Sequence, residues 1–192
     1  MTKVIIQIIL KILAKLILAK YKPDIIGITG SVGKTSAKEA IFTVLSSKFK
    51  ARQGLKNYNN EIGVPMTVIG MELRGKSVLG WIAVIVKAIL MILFKEKDYP
   101  KILVLELAVD KPGDMGYLLS IVKCKIGVVT TVGQSHFEFF GSIDKIKKEK
   151  ELLVKSLPLY AWAVLNYDDE RVRQMRKETE ARVLTLGLAK EA

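Results

Sequence analysis

The stretch Gly27-Ile-Thr-Gly-Ser-Val-Gly-Lys-Thr-Ser36 constrains the fold of this chain more than any other. It follows the apolar run Ile25–Thr29, which reads as a short buried strand, and it opens a segment from Lys34 to Ser47 with helical periodicity. A strand that turns through glycines straight into a helix is the context of a phosphate-binding loop. The glycines let backbone N–H groups approach phosphate oxygens, and the helix N-terminus adds a favourable dipole. In this reading Gly30, Ser31, Gly33 and Ser36 belong to the phosphate cradle. Lys34 reaches the terminal phosphates, and the Thr35 hydroxyl ligates Mg²⁺. The spacing is compact, because Ile28 stands where the common GxxxxGK[ST] pattern has its first glycine.

The alternation recurs downstream. Apolar runs at Ile102–Leu107, Ile126–Val132 and Ala161–Asn166 read as buried strands, and Arg182–Leu186 reads as a last one. Helical patterns separate them, around Asp114–Val122, Ser142–Ser156 and Asp168–Thr179. Strands alternating with helices predict an α/β fold, a mostly parallel sheet flanked by helices. Ligands of such sheets bind beyond the carboxyl ends of the strands, so strand-end residues carry the functional candidates. The 192 residues suffice for one compact domain, and with half of them hydrophobic a large core is available.

The formal charge of +12 suits an anionic partner, but the lysines are scattered and no Arg/aromatic stripe marks a nucleic-acid surface, so nucleic acid is not expected. Cys124 is the single cysteine, which excludes an intramolecular disulfide and reads as a small buried hydrophobe. Two greasy segments stand out. In residues 4–19 lysines at 11 and 15 continue a four-residue polar spacing from Lys3 and Gln7, which leaves a helix with a broad apolar face. Such a helix either lies at a membrane surface or packs on protein. Residues 77–94 approach the length of a bilayer span. A true span, however, would place the phosphate loop and the later catalytic-looking residues on opposite sides of the membrane. Partner packing or shallow membrane contact is the expectation for this segment.

Five blocks in order resemble the Mur ligase family, the ATP-dependent amide ligases of peptidoglycan precursor synthesis. They are the loop TGSVGKTS, then KNYNNEIGVP (56–65), LELAVDKPGDMGYL (105–118), TTVGQSHFEFFGSIDKIKKEKELL (130–153) and VLNYDD (164–169). The later blocks are most similar to the branch that adds D-alanyl-D-alanine to the UDP-muramoyl tripeptide. The resemblance covers roughly residues 24–187 and implies a P-loop-containing central ATP-binding domain. Val32 stands where many members have Asn.

The resemblance implies that ATP activates a carboxylate as an acyl phosphate, which an amine then attacks. It makes Glu106 a Mg²⁺ ligand beside Thr35, and His136 the ligand of a second Mg²⁺. It makes Lys150 the lysine that carries CO₂ as a carbamate and helps to hold that second metal. From charge alone Lys150 is one of several solvated lysines in DKIKKEKE, and Glu106 could be a paired structural carboxylate. Asn59 and Asn60 are expected near substrate or nucleotide, with turn formation as the alternative. Asn166 resembles the family's adenine-side asparagine, while Asp168 reads as a cap for the next helix.

Members of the family normally have three domains. Here residues 1–23 form the lysine-striped helix and 24–192 the central domain alone, so a truncated product, a fragment or one part of a split enzyme is expected. The UDP-binding and closing domains would then be supplied in trans, with little ligation by the isolated chain. The expected location is cytoplasmic, with peripheral contact at the inner face of the membrane through 4–19 and 77–94. The expected substrate resembles a UDP-muramoyl peptide. Two other readings stay open: a non-catalytic membrane-associated nucleotide-binding module, and another ligase of the superfamily such as a folylpolyglutamate or amino-acid polymer synthetase.

Overall fold

The computed structural model describes residues 3–55, 58–72, 77–135 and 137–188. In chain order the elements are α1 (Lys3–Tyr21), β1 (Asp24–Thr29), α2 (Lys34–Ser46), β2 (Ala51–Gln53), α3 (Gly63–Ile69), α4 (Val78–Leu93) and β3 (Ile102–Glu106). Then follow α5 (Asp114–Leu119), β4 (Ile126–Val129), α6 (Phe137–Phe140), α7 (Ile143–Lys155), β5 (Trp162–Asn166), α8 (Glu170–Gln174) and β6 (Arg182–Leu186). The strands form one parallel sheet in the order β2-β3-β1-β4-β5-β6.

The strand sequences account for that order. In β1 and β3 nearly every side chain is buried, as both faces of a central strand must be, whereas β6 alternates between exposed and half-buried positions at an edge. Ile26, Ile28 and Val104 point to one face and pack under Ala37, Ile41 and Phe42 of α2. The opposite face carries the larger core, in which Ile25, Leu103 and Leu105 meet side chains of α1, α3, α4, α5 and α7. Gly27 lets α7 and its neighbours close over β1, since a Cβ there would lie 2.6 Å from the Cys124 sulfur. Cys124 is buried as its sequence context predicts, and burial pushes its thiol up to about 12.

From β1 the chain moves towards β2 and β3 on one side, and from β4 towards β5 and β6 on the other. The order therefore reverses between β1 and β4, the place at which sheets of this kind bind ligands beyond the carboxyl ends of their strands.

Several predicted boundaries shift for physical reasons. The strand expected to reach Val132 ends at Val129, because Thr130 and Thr131 turn aside to bond the phosphate loop. The helix expected over Asp114–Val122 stops at Leu119, capped at Ser120. The charged helix of 168–179 is a five-residue helix followed by a 3-10 turn over Met175–Glu178, and its cap is Asp169, whose Oδ1 accepts from the N–H groups of Arg171 and Val172. Asp168 instead accepts the Leu188 N–H at 2.8 Å. Both greasy segments are helices. Leu10, Leu13, Ala14 and Ile17 of α1, and Val84, Ala88 and Met91 of α4, are buried in the larger core. Among the described residues no helix is long and apolar enough to cross a membrane.

Candidate functional site

β1 ends at Thr29, and the chain passes through Gly30 (φ 149°) and Gly33 (φ 85°) before α2 begins. Side chains resist both conformations. At Gly30 there is also no room, because a Cβ would lie 1.9 Å from Thr130 Oγ1. The loop is thus pressed onto the end of β4 and fixed there. The Ser31 N–H donates to the Thr131 carbonyl at 2.8 Å, the Val32 N–H to Thr131 Oγ1 at 3.0 Å, and the Thr130 hydroxyl to the Val32 carbonyl at 2.6 Å. The Ser31 hydroxyl accepts the Gly133 N–H at 2.8 Å and lies 3.0 Å from the Ser135 hydroxyl. Its side chain docks the loop.

No side chain caps α2. Its first intrahelical bond runs from the Ala37 N–H to the Gly33 carbonyl, so the amides of Lys34, Thr35 and Ser36 have no acceptor within the helix. Lys34 folds back over the loop, and its ammonium donates to the carbonyls of Gly30 at 2.8 Å and Ser31 at 3.3 Å. An anion brought to this loop would compete for that ammonium with two neutral oxygens, an exchange that favours the anion.

Lys150 reaches the same place from α7. It is 2% exposed and donates to the Gly30 carbonyl at 3.1 Å. Its neighbour Lys147 instead makes an exposed bond to Gln174, so Lys150 is not a solvated helix lysine. Burial pushes its pKa down to about 8, and the Lys34 charge acts in the same direction, against the pull of Asp110 and Glu149. Burial lowers Lys34 as well, opposed by Glu106 and Asp110.

Glu106 is the last residue of β3 and pairs in register with Ile28, which sets it beside the loop. It is buried. One carboxylate oxygen accepts the Thr35 hydroxyl at 3.0 Å, and the other accepts the Asn59 amide at 3.1 Å. Both partners are neutral, so no direct ion pair with either offsets the charge at this strand end. A hydroxyl and a carboxylate beside a phosphate cradle form a hard-oxygen donor set that fits Mg²⁺, which takes one or two carboxylates and completes its shell with phosphate and water. Among the described residues no cluster of three or more His, Cys, Asp and Glu could hold a metal without such help. His136 lies outside the described residues.

Other predicted residues stand close by but are engaged with the chain itself. Asn60 Oδ1 accepts the N–H groups of Ile62 and Gly63 and starts α3. The Asn166 amide donates to the Thr130 carbonyl at 2.8 Å, and its oxygen accepts the Asp168 N–H at 3.0 Å. Ser36 is exposed on the first turn of α2. Four contributors escaped the sequence reading: Thr130, Thr131, Asp110 and Glu149. Glu149 is buried beside Lys150 and accepts the N–H groups of Gly113 at 3.1 Å and Met115 at 2.8 Å, which ties the start of α5 to α7. An acid next to the singled-out lysine was the available signal.

A cavity of about 470 Å³ adjoins this cluster, lined by Asn60, Ala108, Asp110 and Gly113 and closed by Lys3 and Gln7 of α1. A larger one, about 660 Å³, opens at the opposite end of the sheet, beyond the amino ends of β1, β4 and β5, among Pro23, Lys125 and Tyr160. No candidate residue lines it, so chemistry rather than size locates the site.

Residues 86–192 match the Mur ligase middle domain. The UDP-N-acetylmuramoyl-tripeptide--D-alanyl-D-alanine ligase of Mycobacterium leprae is 34% identical over 163 residues, 85% of this chain and 27% of that one. The ligase of the same name from Synechocystis is 33% identical over 170 residues, 88% of this chain and 32% of that one. Among solved structures, the MurF ligase of Thermotoga maritima in complex with ADP matches with a TM-score of 0.71 and 29% identity, over 93% of this chain and 36% of that one. MurF from Acinetobacter baumannii, at 22% identity and a TM-score of 0.73 over 93% of this chain and 34% of that one, shares the fold. The chain spans about a quarter to a third of the length of these curated relatives.

The lowered pKa of Lys150 has a measurable consequence. Burying this group as a cation costs stability: the cost is full below about pH 8, where the folded chain keeps the proton, falls as folding expels that proton, and vanishes above the ordinary lysine value of 10.5. Stability through Lys150 therefore rises with pH between those limits. Lys150→Met is expected to exceed wild type in stability by roughly 2–3 kcal/mol near neutral pH, with the gap closing in alkali. Denaturation midpoints that run parallel across this range would contradict the assignment.

Proposed function

The chain belongs to the Mur ligase family, as its middle domain, and from that membership we propose that it is the ATP-binding core of an ATP-dependent carboxylate–amine ligase. The observation that carries the reading is the convergence of Thr35, Glu106 and Asn59 on an uncapped helix start, with Lys34 and Lys150 across the same loop. The names of relatives at 33–34% identity support the substrate class: a UDP-N-acetylmuramoyl tripeptide whose carboxylate receives D-alanyl-D-alanine. The muramoyl peptide would enter by the cavity beside Asn60 and Asp110.

In this reading the amides of residues 34–36 and the Lys34 ammonium hold the β- and γ-phosphates. Thr35 and Glu106 would hold Mg²⁺, which supplies charge neutralisation for the triphosphate. Asn59 orients the Glu106 carboxylate through its second oxygen. A substrate carboxylate oxygen bonds to the γ-phosphorus as the bond to ADP breaks. The amine nitrogen then attacks the acyl carbon, phosphate leaves, and the nitrogen loses its proton. The protein's contribution is alignment and fixed charge.

Lys150 is the residue we assign to CO₂. Only a neutral amine adds CO₂, and a lysine with a pKa near 8 supplies a useful fraction of neutral form at physiological pH. The carbamate, with His136, would hold a second Mg²⁺. Asn166 would lie on the side of the adenine and Asn60 on that of the substrate. Domains that bind the UDP-sugar and close over the nucleotide would act in cis or in trans. The proposed location is cytoplasmic, with peripheral membrane contact through α1 and α4.

Two measurements test this. Titration calorimetry should show Mg²⁺-dependent ATP binding that weakens at least tenfold in Lys34→Ala, one charge-assisted hydrogen-bond donor being worth about that much. Equal binding by a folded variant would remove the loop from the account. With ¹³C-bicarbonate, wild type should give a carbamate resonance that Lys150→Met lacks, and a resonance that persists in the variant would refute the assignment.

A further inference from the structure

Helices α1 and α4 lie side by side with their carboxyl-terminal ends together. The Lys20 ammonium donates to the carbonyls of Met91 at 3.0 Å and Ile92 at 2.8 Å, and the single Tyr21 hydroxyl proton is shared between those of Met91 at 3.0 Å and Phe94 at 3.2 Å. Each helix buries one face in the core and turns an equally apolar face outward. On α1, Val4, Ile8, Ile12 and Leu16 repeat every four residues and are 48–61% exposed. On α4, Leu79, Ile82, Val86 and Leu93 are 49–76% exposed. A helix whose only obligation is to the core beneath it carries polar residues on its outer side. Two adjacent helices that both break this rule form a continuous patch of the kind that marks an interaction surface.

The chemistry of the patch selects the occupant. Neither helix contains an Asp or Glu. Lys15 is exposed on α1, Lys22 follows α1, and Lys95 and Lys97 follow α4 where the two helix ends meet; all four are exposed. The acids near that end are Glu96 and Asp98, the second ion-paired to Lys50. A protein interface of this size would carry about one hydrogen bond per 100–200 Å². The eight outward residues named above offer no side-chain donor or acceptor. Apolar side chains edged by lysine, with no hydrogen-bonding pattern, match a lipid surface with anionic headgroups. At 19 and 16 residues the helices would lie in the interface without crossing it.

We propose that the outward faces of α1 and α4 together form one surface that seats the domain on an anionic lipid bilayer. The inference deepens the peripheral contact named above and is independent of the ligase chemistry. The sheet would then lie over the membrane with α1 and α4 between them.

Vesicle flotation tests it, with phosphatidylcholine containing phosphatidylglycerol against phosphatidylcholine alone. The whole chain should float with the anionic vesicles and not with the neutral ones. Ile8→Glu combined with Ile82→Glu should abolish flotation. Should that variant fail to fold, Lys95→Gln with Lys97→Gln leaves the core untouched and should weaken partitioning about thirtyfold. Salt near 1 M should weaken wild type similarly. No flotation by a folded wild type, equal flotation with both vesicle types, or a dimer in light scattering that Ile82→Glu dissociates would each overturn the proposal, the last by showing a second copy as the occupant. Flotation without nucleotide binding would uphold the surface while removing the ligase reading.

Discussion

The carbonyl oxygen of Gly30 accepts hydrogen bonds from two lysines that approach from different elements, and the rest of the site is arranged around that point. Lys34 comes from the start of α2 and Lys150 from the middle of α7, some 116 positions apart in sequence. Two cations gathered on one neutral oxygen, in a place buried enough to depress both, form a site that favours either an anion or the loss of a proton. The backbone must take φ 149° at Gly30 for its carbonyl to lie there, and no side chain fits between that residue and Thr130. A glycine is therefore required by conformation and by space at once.

Topology supplies the remaining parts. The sheet order reverses between β1 and β4, so the loops after those two strands meet each other and lock through Ser31, Val32, Thr130 and Thr131. Parallel pairing of β1 with β3 sets Glu106 opposite Ile28, one residue before Thr29, and delivers a carboxylate to the Thr35 hydroxyl from the other side. Glu149 then anchors α7, and with it Lys150, to the turn that follows β3. Each functional side chain is held by an element whose position the sheet dictates, which gives the site its order without a bound ligand.

Much of this was legible in the sequence because the signals were local. The apolar runs located β1, β3 and β5 to within a residue, and the glycine pattern between β1 and α2 announced the tight turn from strand into helix. Contacts between distant segments were not legible. Thr130 and Thr131 are β-branched and read as a continuation of β4, yet they leave the ladder to clamp the loop. Ala51–Gln53 is too short and too polar to announce a strand, and it forms only by pairing with β3. Lys150 is indistinguishable by composition from Lys147 and Lys148, and only its burial on the inner face of α7 separates it. The helical period of residues 4–19 was plain. A helix apolar on opposite sides, however, does not say which side meets the core, and in α1 the packed side is that of Leu10 and Ile17.

The central claim is that Glu106 and Thr35 form a divalent-cation site completed by nucleotide phosphate. Electron paramagnetic resonance of Mn²⁺, which takes the same oxygen ligands as Mg²⁺, measures it most directly. With ADP present the wild-type chain should immobilise Mn²⁺. Glu106→Gln should bind the ion at least tenfold more weakly while keeping its fold, since the amide loses the charge but preserves the shape of the contact with Thr35. Equal Mn²⁺ affinity in the two proteins would contradict the account at its core.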